Sequence, residues 1–231
     1  MIPLRDNVGV SHFSPINLSI ILCNLAVFAY QTSLGPTADR LYLAYGLIPA
    51  HIAAVGAMGP TAAGRTLLTL LTSLFLHGGL LHIAGNMLYL FIFGPAVEAA
   101  FGHLRYAIFY LAAGIAAGLA MVWMSPAMAI PTVGASGAIA AVLGAYFVLY
   151  PKAWIKTLLP LFIIVEFVEV PALLYLLLWF GIQLYAGLHS RGPAMAGDVA
   201  WWAHIGGFLF GVAVAPFIST RPGHSRHKRA S

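Results

Sequence analysis

Four polar side chains stand in stretches that are otherwise apolar: His82 and Asn86 in LLHIAGNMLYLFIF, Ser136 in GASGAIAAVLGAY, and His204 in WWAHIGGFLFGV. A serine hydroxyl becomes a nucleophile when a base takes its proton, and histidine is suited to be that base. Ser136 and His204 together therefore suggest acyl transfer. That reaction also needs N–H donors for the negative charge growing on the attacked carbonyl oxygen. His82 and Asn86 carry side-chain N–H groups. The backbone N–H of Ser136 follows a glycine turn at a helix start, where such groups lack intrahelical partners. Singly, each residue has a plainer reading. Ser136 is small enough to pack, His82 and Asn86 suit interhelical hydrogen bonds, and His204 beside Trp201 and Trp202 suits an interfacial anchor. Chemistry follows only if the chain brings the four to one place.

What must position them is a membrane bundle. Of 231 residues, 61% are hydrophobic and 7% charged, with a mean hydropathy of +0.92; soluble domains carry about 25% charged residues. Six stretches approach the roughly 20 apolar residues that a spanning helix needs. They are residues 16–33, 80–101, 104–124, 133–150, 170–189 and 199–219, the fifth preceded by a long apolar approach from Trp154. The first follows a mixed-polarity N-terminus and has no A-x-A-like cleavage site, so it reads as a retained signal anchor. Residues 34–79, broken by Pro36, Pro49 and Pro60, hold only short apolar pieces. They read as a large loop of short helices at the membrane surface. The expected fold is an all-α polytopic bundle of six helices, a single domain over residues 1–219, followed by a basic tail at 220–231. The one cysteine, Cys23, allows no intrachain disulfide and no CxxC-type metal site. His77 and His82, five residues apart, lie on different helix faces and make no metal pair. The net charge of +5 comes from scattered or terminal basic residues, a topology signal rather than a nucleic-acid footprint. Neither metal, cofactor nor nucleic acid is expected.

The basic residues also set sidedness. With the N-terminus in the cytoplasm, Arg5, Arg105, Lys152, Lys156, Arg221, Arg226, Lys228 and Arg229 fall inside, and Arg40, Arg65 and Arg191 outside. That excess follows the positive-inside rule. On this topology the second, fourth and sixth spans all start outside, and His82, Asn86, Ser136 and His204 all lie near those starts. The spans rest on apolar length and the sidedness on Lys and Arg, so the agreement in depth is independent of the four residues. His82 and Asn86, at i and i+4, share a helix face. His204, Gly207 and Gly211 share another, and Gly137, Ala140 and Gly144 lie near the serine's face. Small residues on both sides let the two backbones approach until Ser136 and His204 touch. No acid stands where it would orient His204: Asp198 is in or near a turn, and Glu166 and Glu169 lie at the opposite end of the fifth span. A Ser–His dyad is favoured over a triad. A solute transporter would also keep polar groups in the membrane, but the halves show no inverted repeat and the spans carry almost no acid.

These stretches carry a resemblance. HGGLLHIAGNMLYLFIFGPAVEAAFG, GASGAIAAVLGAY and WWAHIGGFLFGV, in this order, resemble the rhomboid family of intramembrane serine proteases over residues 67–216. The H-x-x-x-N pair, G-x-S-G and A-H-x-G-G carry the match. The resemblance implies a six-helix core of the basic type in a bacterial inner membrane, both termini cytoplasmic, with single-span membrane proteins as substrates. It implies Ser136 as nucleophile, His204 as base, and His82 and Asn86 lining the oxyanion hole. Gly134 matches the turn glycine before the serine, His77 a histidine supporting the first outer loop, and Glu98 a structural acid. Some relatives place a tyrosine four residues after the nucleophile, against the histidine. This chain has Ala140 there, so another side chain must hold His204.

Overall fold

The computed structural model describes residues 1–9, 13–161, 164–190 and 199–219. The chain begins with β1 (Ile2–Asp6) and then enters α1 (Pro15–Ser33). The outer loop follows as three short helices, α2 (Asp39–Tyr45), α3 (Pro49–Ala53) and α4 (Pro60–Thr72). Next come α5 (Leu80–Phe101), α6 (His103–Met124) and α7 (Ser136–Leu149). A hairpin of β2 (Trp154–Leu161) and β3 (Ile164–Pro171) leads into α8 (Ala172–His189), and α9 (Trp201–Ile218) ends the bundle. Among the described residues, α1, α5, α6, α8 and α9 are long and apolar enough to cross a membrane. The protein is an integral, multi-pass, predominantly helical membrane protein.

The fourth bundle helix, α7, differs from its neighbours. A span over 133–150 is expected from apolarity, yet the helix has only 14 residues and begins at Ser136. Gly134 sits at φ +127°, a conformation that side-chain-bearing residues avoid, so the helix cannot extend back through it. At 1.5 Å per residue α7 is about 21 Å long, short of the roughly 30 Å hydrocarbon thickness. It need not meet lipid at both ends, because every residue from Gly137 to Tyr146 is buried by the surrounding helices.

α7 packs most closely along α9. A Cβ at Gly207 would run into the Gly137 carbonyl oxygen, one at Gly211 into that of Ala141, and one at Gly144 into that of Phe208. Glycine at these positions sets the separation of the two backbones, and with it the distance between side chains mounted at their ends. Elsewhere the bundle is tied by polar groups turned inward. On α1, Asn17, Asn24 and Gln31 are buried while Leu18, Leu22 and Leu25 are exposed, the distribution expected when the outer solvent is hydrocarbon. Glu98 of α5 caps the start of α1, accepting from the Ile16 N–H at 3.1 Å and the Asn17 N–H at 2.7 Å. A carboxylate there satisfies two otherwise unpaired donors at the positive end of the helix.

The apolar approach from Trp154 is a β-hairpin, which the helical reading does not anticipate. β1, β2 and β3 form an antiparallel sheet in that order, with Lys156 opposite Glu169 and Thr157 opposite Val168. The sheet joins the N-terminal segment to the α7–α8 connection at one end of the bundle. The Tyr146 hydroxyl of α7 donates to Asp6 at 2.8 Å, and burial raises the Asp6 carboxyl above its usual range.

At the other end the outer loop holds the stretch before α7. Leu47 and Thr132 exchange backbone hydrogen bonds of 3.0 and 2.7 Å, the Ala50 N–H reaches the Met128 carbonyl at 3.0 Å, and the Gly134 N–H reaches the Ser73 carbonyl at 2.9 Å. α3 and α4 also pack on α6. The loop is thus a structural wall rather than a connector.

Candidate active site

Ser136 is the first residue of α7. The first intrahelical bond runs from the Ile139 N–H to the Ala135 carbonyl, so the leading N–H groups, that of Ser136 included, are not used by the helix. His204, in the first turn of α9, is buried to 9% exposure. Its Nε2 stands 2.8 Å from Ser136 Oγ. This is hydrogen-bond distance for a hydroxyl and an imidazole, and it is the contact that the facing glycines of α7 and α9 permit.

The other ring nitrogen is engaged as well. His204 Nδ1 lies 2.7 Å from Oε1 of Gln183, which is 6% exposed on α8. Trp179, one turn earlier on α8, lies beside the imidazole with centroids 5.9 Å apart, and Trp201 meets it edge-on at 6.3 Å. His204 is therefore held from α8. The described acids are elsewhere. Asp6 and Glu98 hold the partners described above, Asp39 opens α2, and Glu166 and Glu169 lie on β3; Asp198 is outside the described residues. Gln183 and Trp179 were not among the sequence-based candidates. A signal existed, since Gln183 is the one amide in ALLYLLLWFGIQLYAGLH, and polar groups are kept in spans for a reason.

His82 and Asn86 converge on the turn before the serine. An added Cβ on Gly134 would lie 2.8 Å from His82 Nε2 and 3.6 Å from Asn86 Nδ2. The Gly78 N–H donates to His82 Nδ1 at 3.3 Å. That nitrogen is then an acceptor, so the neutral ring carries its proton on Nε2, the atom facing Gly134. Asn86 Nδ2 is buried with no hydrogen-bond partner among the described residues. An unmet buried donor costs about 1–3 kcal/mol, so its position beside this turn calls for an explanation.

His77 is fully buried but does not reach the serine. Its backbone is clamped to Gln31 by two hydrogen bonds of 3.1 and 3.2 Å, and its carbonyl accepts from the Tyr42 hydroxyl at 2.9 Å. Its ring meets that of His82 edge-on, with centroids 5.2 Å apart. It thus joins the outer loop to the first turn of α5. Gly207 and Gly211 touch α7, and Gly137 faces Ala117 and Ala203.

The sequence that carries these residues is similar to known proteins. The family model of the Rhomboid domain matches residues 64–221, well over half of the chain. The chain belongs to the rhomboid family. Its relatives include Rhomboid protease GluP of Bacillus subtilis (strain 168), 47% identical over 76 residues, which are 33% of this chain and 14% of that protein. Rhomboid-related protein 2 of Mus musculus is 28% identical over 84% of this chain and 61% of its own length. Rhomboid protein 1, mitochondrial, of Saccharomyces cerevisiae is 30% identical over 70% of this chain and 45% of its own length. The chain thus spans less than two thirds of each of these relatives. The rhomboid domain match takes in α5 to α9, and with them the four polar residues.

Proposed function

We propose that this rhomboid-family chain is an intramembrane serine endopeptidase, cleaving single-span membrane proteins near the outer face of the bilayer. The observation that carries this reading is the 2.8 Å contact between Ser136 Oγ and His204 Nε2, beside a convergent pair of donors on α5. Ser136 Oγ attacks the scissile carbonyl while His204 Nε2 takes its proton. The carbonyl oxygen, now negative, is met by His82 Nε2–H, Asn86 Nδ2–H and the Ser136 backbone N–H. His204 returns the proton to the departing amine, leaving an acyl group on Ser136. A water, deprotonated by the same histidine, then releases it. Ser136 and His204 form a dyad; His82 and Asn86 line the oxyanion hole; Gly134, Gly137, Gly207 and Gly211 keep the backbones close, and His77 supports the loop.

The substrate must meet Ser136 as extended chain, because a helix hides its own carbonyls. A transmembrane segment with small or helix-breaking residues near its outer end meets this demand. The lysine and arginine distribution supports a cytoplasmic placement of both termini, and a bacterial inner membrane is the setting that goes with this reading. The site's chemistry calls on neither metal nor cofactor.

A fluorophosphonate probe, which reacts with activated serines, tests the reading directly. The purified protein in detergent is expected to take up the label. Ser136→Ala and His204→Ala, each with its thermal unfolding midpoint retained, are expected to take up none. Labelling that persists in Ser136→Ala removes the assigned nucleophile.

A further inference from the structure

We propose that Gln183 is the positioning residue of this site: its side-chain oxygen fixes the tautomer and the orientation of His204, so that a neutral amide does the work an acid does in a serine triad. The proposal rests on the protease reading above.

The argument is one of hydrogen-bond bookkeeping. Gln183 Oε1 accepts and never donates. At 2.7 Å from His204 Nδ1, it requires the ring proton to be on Nδ1. A neutral imidazole has one N–H, so Nε2 is left bare, and Nε2 is the atom 2.8 Å from Ser136 Oγ. With the proton on Nε2 instead, His204 could not accept from the serine, and Oε1 would face a lone pair. An acid serves this purpose in aqueous serine hydrolases, where the wrong tautomer costs about 10⁴ in turnover. A buried carboxylate inside a bilayer carries a heavy desolvation penalty. The amide supplies the same acceptor with no net charge. When His204 takes the serine's proton, the Gln183 carbonyl dipole still points its negative end at the cation. α8 adds a second constraint from the same face, since Trp179, four residues before Gln183, lies beside the ring.

The test has two arms. The first is solid-state ¹⁵N NMR of the histidine-labelled wild-type protein in lipid, with the His204 signal identified by its loss in His204→Ala. The expected result is a neutral ring protonated at Nδ1; protonation at Nε2 overturns the proposal without reference to any activity. The second arm compares Gln183→Leu with Gln183→Glu. Loss of the partner that orients a metal-ligating histidine costs on the order of 10- to 100-fold, and a removed partner, unlike an inverted one, does not force the wrong tautomer. Gln183→Leu should lose that much kcat with KM unchanged. Gln183→Glu should recover much of it at alkaline pH, where a carboxylate can only accept. Turnover of Gln183→Leu within about twofold of wild type overturns the proposal. So does an equal loss in both variants. A wild-type protein that neither cleaves nor takes up the probe overturns the protease reading, and the proposal with it. If Leu at 183 prevents folding, the first arm still decides.

Discussion

At the scale of single residues, the proposed mechanism gives one side-chain type two opposite tasks. His82 and His204 each commit Nδ1 to a neighbour and turn Nε2 toward the reacting position. The neighbour of His82 is a backbone N–H, that of Gly78, so its Nε2 carries a proton to donate. The neighbour of His204 is an amide oxygen, that of Gln183, which on our proposal leaves its Nε2 bare. Donor and base differ by what stands behind the ring. Removing an oxyanion donor typically lowers kcat by roughly 10²–10³. His82→Ala and Asn86→Ala are expected to fall toward the lower end of that range, since three groups share the charge, and to retain the unfolding midpoint. Steady-state turnover measured on both variants checks this; unchanged kcat in both removes the oxyanion role. The nearness of Ser136 and His204 was legible in the sequence, because small residues flank both. Gln183 was not: it lies on a third helix, 21 residues from its partner, and only packing brings it to the ring.

At the scale of elements, the distance between Ser136 and His204 is a property of how α7 meets α9. A side chain at Gly207 would be driven against the Gly137 carbonyl, one residue from the serine. Overpacking of this kind costs about 1–3 kcal/mol. Gly207→Val is expected to lower the thermal unfolding midpoint and to abolish probe labelling, because α9 must withdraw and carry His204 with it. Gly64→Ala in α4, where an added Cβ meets nothing within 4 Å, serves as the control and should lower neither. Full labelling in Gly207→Val would contradict this account of the interface. The long helices could be read from apolar length. The start of α7 could not, because 133–135 is as apolar as the helix and only the φ of Gly134 separates them. The hairpin was missed for a related reason. WIKTLLPL and IVEFVEVP belong to a long apolar run, and such runs do not by themselves distinguish strand from helix.

At the scale of the whole molecule, the bundle is held at both ends. The three-stranded sheet joins the N-terminal segment to the α7–α8 connection, and the outer loop grips the turn before Ser136. Between them α7 is encased along its length, and its serine end meets α5, α8 and α9 together. Half-buried Ser136 is thus mounted where three helices of the bundle meet. The central claim is that this site cuts peptide bonds in membrane-embedded chains. The most direct measurement is cleavage of a model single-span substrate, reconstituted with the protein in liposomes, with the severed bond mapped by mass spectrometry. The account predicts a single cut near the outer end of the substrate's span by the wild-type protein, and none by Ser136→Ala. Equal cleavage by the two proteins, or a cut confined to the substrate's soluble part, would contradict it.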